Sequence, residues 1–349
     1  MKRRSFLQIS LASGLLSSLI GSGCSDWSRE STVDTTSSPT ETPQSLILAT
    51  ATTGGTFYPV GVALATLISQ KTPLTMNAIN SAGSAENIQL LKNQEADLAI
   101  LQGLFGTMAW SGTGKYEGKP EPEFRAITLL WQNVEHFVIP KQFATTGNIE
   151  DLNNIKAKSF SIGKRGSGTE ISGRTILREL GFDVEQDFRL EYIGYSESAA
   201  ALQNGRIAGM NIPAGVPASA ITQSYAGMGA DKIAILEFTD SQLQKINTTF
   251  PVWQPYQIEA SVYPGQKQPI QTVAQSNFLA VRPSINDETV YQITQTIYEN
   301  LTQLQEFHQA TQEMSLDKAI SGLTTPLHPG AIKYYQEQGL EVPANLLTT

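Results

Sequence analysis

The chain has 349 residues, of which 16% are charged and 40% apolar, with a formal net charge of −8. That length allows two lobes with real cores, and the acidic balance excludes a nucleic-acid binder built on a basic face. Three dispersed histidines and one cysteine exclude a zinc site or a disulfide framework.

Lys2, Arg3 and Arg4 precede the apolar run LASGLLSSLIG, which is too short and too rich in Ser and Gly to span a membrane as a helix. Arg3-Arg4 ahead of Ser5-Phe6-Leu7 has the form of a twin-arginine export signal. The run ends in GSGC, so residues 1–23 are expected to be removed and Cys24 to become a lipid-carrying N-terminus; Gly21 stands where such a cleavage box usually has leucine. Residues 24–45 are dominated by Ser, Thr and Pro, cannot bury a core and are expected to be a disordered tether. Such a chain has an end-to-end distance of roughly 25 Å.

The folded body is expected from Leu46. The strand-like SLILAT runs into the polar glycine loop within TATTGGTFYPVG, Thr50 to Gly61. A helix follows with Val60, Ala63, Leu64, Leu67 and Ile68 on one stripe, and Pro59 suits its first turn. The strand TMNAIN then leads into the loop NSAGSAEN, where Ser84 is placed to cap a helix carrying Ile88 and Leu91 and ending near Asn93; a buried strand, Leu98–Leu101, comes next. The order recurs further on. KSFSIG is a strand ending at Gly163, KRGSGTE is a second polar glycine loop, and ISGRTILREL puts Gly173, Ile176, Leu177 and Leu180 on one helix face before Gly181. The strand RLEYIG, a helix with Ser196 as its expected cap, and the strand RIAGMNI complete the second unit.

Two βαβαβ units predict an α/β protein of two lobes, each a mainly parallel sheet flanked by helices. Lobe 1 is expected over 46–135, lobe 2 over 136–255, and a return to lobe 1 with C-terminal helices over 256–349. The chain is expected to cross between lobes within residues 131–140 and to return near Tyr263. In open α/β sheets, ligands bind at the carboxyl ends of strands, where helix starts with free N–H groups favour an anion. The two glycine loops are therefore read as facing jaws of one cleft.

The candidate ligand contacts follow from that placement. They are Gly54, Gly55, Thr56 and Tyr58 in the first loop, Ser81 and Gly83 in the second, and Gln102 at the end of the buried strand. In the second unit they are Arg165, Gly166, Ser167, Gly168 and Thr169, with Pro213, Ala214 and Gly215 at a strand end and Tyr263 in the return. Arg165 offers a fork suited to a carboxylate, while a solvated loop charge is the plainer alternative. Neither glycine loop has the spacing of a phosphate cradle or a dinucleotide fingerprint. There is no GxSxG elbow. His136 reads as a strand residue and His328 as part of a turn before a helix. No catalytic residue, metal or cofactor is expected.

The segments GGTFYPVG, AGSAENIQLLKNQEADLAILQ, GKRGSGTEISGRTILRELG, YPGQ and PLHPGAIKYYQEQGL together resemble the TAXI subfamily of solute receptors of TRAP (tripartite ATP-independent periplasmic) transporters. The resemblance covers nearly the whole body. It implies a periplasmic-binding-protein fold of type II, a monomer that captures a small carboxylate such as glutamate, a related dicarboxylate or a 2-oxo acid, and delivery to TRAP permease subunits driven by an ion gradient. With Cys24 lipidated, the receptor would be periplasmic and membrane-tethered. Two features depart from the family pattern: Ala208 stands where an Asp usually follows the second NG turn, whereas Asp97 keeps it in the first unit, and many relatives lack a tether. A ligand-sensing lipoprotein that engages a sensor, and an enzyme on the same scaffold, are the alternative readings.

Overall fold

The computed structural model describes residues 44–347. The export signal with Arg3 and Arg4, the cysteine at Cys24 and nearly all of the expected tether lie outside the described residues.

The first unit runs β1 (Ser45–Ala49), α1 (Phe57–Lys71), β2 (Thr75–Ile79), α2 (Ser84–Lys92), β3 (Leu98–Gln102), α3 (Gly103–Ser111) and β4 (Arg125–Val134). β3 is buried along its whole length, as a central strand covered on both faces must be. α1 turns Val60, Leu64, Leu67 and Ile68 inward, each contributing about 1.5–3 kcal/mol by burial. After β5 (Phe137–Pro140), the second unit runs β6 (Ser159–Ser161), α4 (Gly168–Glu179), α5 (Val184–Asp187), β7 (Arg189–Glu191), α6 (Tyr195–Gln203), β8 (Gly209–Asn211), α7 (Ser219–Met228) and β9 (Ile233–Ile235). The strands β10 (Gln254–Ile258) and β11 (Ile270–Val281) precede the C-terminal helices Asp287–Glu299 and Pro329–Glu337.

These strands form two sheets with the same plan. In the first, β2, β1, β3, β11 and β4 lie in that order, β10 pairing with the early part of β11. In the second the order is β7, β6, β8, β5 and β9. Each sheet thus holds its unit's second, first, third and fourth strands, with one antiparallel visitor between the third and fourth. The visitor β11 comes from the chain's return and β5 directly from the crossing. This is the two-lobed type II plan, and the repeat of loop and helix extends to strand order.

Glu135 and His136 are the two residues between β4 in the first sheet and β5 in the second. His136 is therefore not inside a strand, as its apolar neighbours suggested. It is fully buried, with Nδ1 donating to the Ile212 carbonyl at 2.9 Å and Nε2 accepting from the Tyr263 hydroxyl at 2.8 Å. Burial pushes its imidazole down to about 4. Glu135 beside it is equally buried and is pushed the other way, up to about 7, against the pull of Asn211. The Asp97 carboxylate ties β1 to β11 by accepting from Ile47 N and pairing with Arg282. At Ala208 the second lobe uses a backbone bond to Ser159 alone.

Candidate ligand-binding cleft

Four helices start at the carboxyl ends of β1, β2, β6 and β7, and all four starts meet in one cleft, joined there by the start of α3 at Gln102 after β3. Their N-cap residues, Thr56, Gly83, Ser167 and Gly194, all line it. The cleft encloses about 440 Å³ between the protein atoms, part of it open to solvent.

The caps explain why this region attracts an anion. The first N–H groups of a helix have no intrahelical partner, and a capping side chain normally takes one of them. Among these four helices only α4 has such a cap, Ser167 Oγ accepting from Glu170 N at 3.0 Å. α2 and α6 begin on glycine, and the Thr56 hydroxyl is turned elsewhere. Ser84 and Ser196, expected as caps, lie inside their helices because the caps fall one and two residues earlier, on Gly83 and Gly194. Four helix starts therefore face one space, three of them without a side-chain cap, with Glu86, Glu170 and Glu197 in the first turns of α2, α4 and α6. Lys164 adds an ammonium, and among the described residues no carboxylate lines the cleft.

The hydroxyls divide into spent and free. Tyr195 Oη donates to the Pro213 carbonyl at 2.8 Å; having no second proton, it must accept from Thr169 Oγ1 at 2.6 Å. The Thr169 proton is thus committed inside lobe 2. The Thr56 proton is committed across the cleft, to the Gly215 carbonyl at 2.9 Å. Ser167 Oγ and Ser84 Oγ, by contrast, accept from Glu170 N and Gln102 N and keep their own protons for a ligand. Gln102 is 3% exposed, and its Oε1 has no hydrogen-bond partner among the described residues.

The pattern of the NMT1-like family matches residues 48–339. The chain belongs to that family. Among solved structures it is similar to MatC from Rhodopseudomonas palustris, determined with bound malate, at 14% identity over 84% of this chain and 96% of that one, with a TM-score of 0.52. A protein from Bordetella bronchiseptica RB50 matches at 15% identity, 84% and 82% coverage and a TM-score of 0.51. The binding component of an ABC phosphonate transporter from Pseudomonas aeruginosa matches at 12% identity, 77% and 80% coverage and a TM-score of 0.49. At such identities the likeness is one of fold, that of the periplasmic binding proteins.

Within this family member, the cleft brings together Gly55, Thr56, Gly83, Gln102, Ser167, Gly168, Thr169 and Pro213 of the expected contacts. The others stand outside the lining. Gly54 accepts from Ala220 N across the lobes at 3.0 Å, and Tyr58 is half-buried on α1. Ser81 lies behind the loop, accepting from Gly83 N at 2.9 Å and 2.6 Å from Asn87 Oδ1. Arg165 is turned away, stacked on Tyr192 with its guanidinium 3.6 Å from the ring centre, a cation–π contact that competes with any ligand. Gly166 N donates to Glu170 Oε2 at 2.7 Å. Ala214 is paired to Val134 through its backbone, and Gly215 packs on Trp131, where an added Cβ would lie 2.5 Å from the indole. Tyr263 is buried at the crossing, joined to His136 and Ala218.

The lining also holds Lys164, Gly194, Tyr195, Phe57 and Ser84, which sequence reasoning did not single out as contacts. A signal was present for two of them: aligning YIGYSES with SAGSAEN puts Gly194 opposite Gly83 and Tyr195 opposite Ser84.

Proposed function

We propose that this protein is an extracytoplasmic solute receptor that captures a small carboxylate between its lobes and presents it to a TRAP-type permease, held to the membrane by lipid on Cys24. The observation that carries the reading is the convergence of four helix starts, three without a side-chain cap, on a cleft lined, among the described residues, by one ammonium and no carboxylate. The sequence resemblance to TAXI receptors supports the permease partner, and the malate bound to the neighbour of like fold supports the ligand class.

In this reading a carboxylate accepts from backbone N–H groups of both lobes, from Ser84 and Ser167, and from Lys164. Charge-assisted bonds of this kind contribute about 1.5–3 kcal/mol each. Three or four of them, less the cost of immobilisation and closure, correspond to micromolar affinity, about −8 kcal/mol. The joined lobes are the form that the permease recognises.

A thermal-shift panel on purified protein, unfolded and refolded to strip any ligand, tests this. At a hundredfold excess over Kd a true ligand stabilises by about 2.7 kcal/mol, a rise of several degrees in Tm. A saturable shift with a carboxylate and none with neutral controls is expected. No shift with any carboxylate overturns the reading.

A further inference from the structure

Gln102 closes β3 at the floor of the cleft, and what surrounds it differs from the rest of the lining. In the β3–β11 pairing Gln102 stands opposite Asn277, and in the β11–β4 pairing Gln275 stands opposite Asn133. Gln275 and Asn277 are two apart on β11, where the pairing to β4 shifts register between Ser276 and Phe278, so the four carboxamides occupy neighbouring positions in the first sheet. All four are at least 97% buried. Each has a polar atom without a partner among the described residues: Gln102 Oε1, Asn277 Oδ1, Gln275 Nε2, and both Asn133 atoms. Buried polar atoms are normally paired. Gln102 reaches the cleft itself, and an added Cβ on Gly168 of the opposite lobe would lie 2.7 Å from its Oε1.

Among the described residues, the one charged side chain of the lining is exposed Lys164, whereas Gln102, at the N-cap of α3 and against the α4 start at Gly168, offers only a neutral carboxamide. We infer that Gln102 determines specificity by reading a neutral hydrogen-bonding group at the ligand's far end, so that the preferred solute is a monocarboxylate carrying an amide, hydroxyl or carbonyl, and not a dicarboxylate. The inference rests on the carboxylate-receptor reading. A second carboxylate placed at Gln102 would be desolvated against carboxamides, with no ammonium or guanidinium among them to offset the loss of water. An alkyl end would leave the Gln102 carboxamide buried and unpaired. A primary amide matches it best, donating to Oε1 and accepting from Nε2. Sites that hydrogen-bond a substrate group discriminate strongly against analogues lacking it.

The test is calorimetric titration of the stripped full chain with matched triads: glutarate, its monoamide and pentanoate, then succinate, its monoamide and butanoate. In at least one triad the monoamide should bind about tenfold or more tighter than both companions. Equal or tighter binding of the dicarboxylate or the alkyl acid in both triads overturns the inference. If no member of either triad binds, the carboxylate-receptor reading falls with it; if all bind alike, that reading stands and only the role of Gln102 is lost. Gln102→Met, close in volume, should abolish the preference for the monoamide over the alkyl acid and tighten alkyl-acid binding, because no carboxamide is then left unpaired against the alkyl end. An equal loss for all three ligands would show Gln102 to be merely structural. Should the variant fold poorly, the triads on the unaltered chain decide the matter alone.

Discussion

The Thr56 hydroxyl, at the start of α1 in one lobe, donates to the Gly215 carbonyl in the loop after β8 of the other at 2.9 Å. Thr56 is thereby a link between the lobes, although its position in a polar glycine loop marks it as a ligand contact. Both ends are buried, so removing the donor leaves a carbonyl unpaired at about 1–3 kcal/mol. Thr56→Val is expected to weaken ligand binding about tenfold while leaving the ligand-free Tm within a few degrees, and Thr56→Ser to restore affinity. Titration of the three proteins side by side checks this; equal affinity in Thr56→Val would remove the link from the closure mechanism.

Ser167 and Thr169 sit two residues apart at the start of α4 but have different free protons. Ser167 caps the helix and keeps its hydroxyl proton, whereas Thr169 has given its proton to Tyr195. Ser167→Ala should cost about 1 kcal/mol of stability and also lower ligand affinity several-fold. Thr169→Val should change affinity less, because the backbone N–H it offers survives. The ratio of the two losses is the readout, and a larger loss for Thr169→Val would reverse the assignment of donors.

Gly168 gives a steric test of the same wall. A Cβ there would stand 2.7–3.0 Å from the Gln102 carboxamide, which must then swing from its place at the cleft floor. Gly168→Ala is expected to reduce affinity at least about tenfold with a change in unfolding free energy under about 1 kcal/mol, since alanine favours the helix it enters. Comparing urea unfolding with titration separates the two effects. A variant that binds as the parent does would mean that Gln102 has room to spare.

Glu135 and His136 load the crossing with opposite pH dependences. The Glu135 carboxyl is held up at about 7 against an ordinary 4.5, so its folded state binds the extra proton and stability falls as pH rises between those values. His136 is held down at about 4 against 6.5; its unfolded state binds the extra proton, and stability rises with pH over that window. From about pH 4.5 to 6.5 the two slopes, each roughly 1.4 kcal/mol per pH unit, offset one another. Glu135→Gln should leave His136 unopposed and steepen the rise in stability with pH by about that amount. Urea unfolding at three pH values in the window measures it; parallel profiles for parent and variant would refute the assignment.

The two-lobed α/β plan was legible because its signals are local. Glycine-rich loops between a short apolar run and an amphipathic stripe mark a strand-to-helix turn wherever they occur, and their recurrence announced a second unit. The same locality explains what stayed hidden. Whether α2 starts on Gly83 or Ser84 is a matter of one residue, yet it decides whether the serine caps its helix or faces the cleft. With Ser196 expected as the cap, Tyr195 stood outside its helix; the structure makes it the first residue of α6. Arg165 was the more conspicuous cation of KRGSGTE, but stacking on Tyr192 draws it away and leaves the cleft to Lys164.

By itself, the sequence determined the leading strands and helices of both units, the doubling of the unit and the placement of polar loops at strand ends, because period and turn chemistry act over a few residues. Tertiary structure alone decided the insertion of β11 between β3 and β4, the joining of Thr56 to Gly215, and the adjacency of Gln102, Asn277, Gln275 and Asn133. The strand and lobe pairings among these link residues from 140 to 183 positions apart. Their partners are chosen by sheet register and lobe contact, which no local pattern encodes.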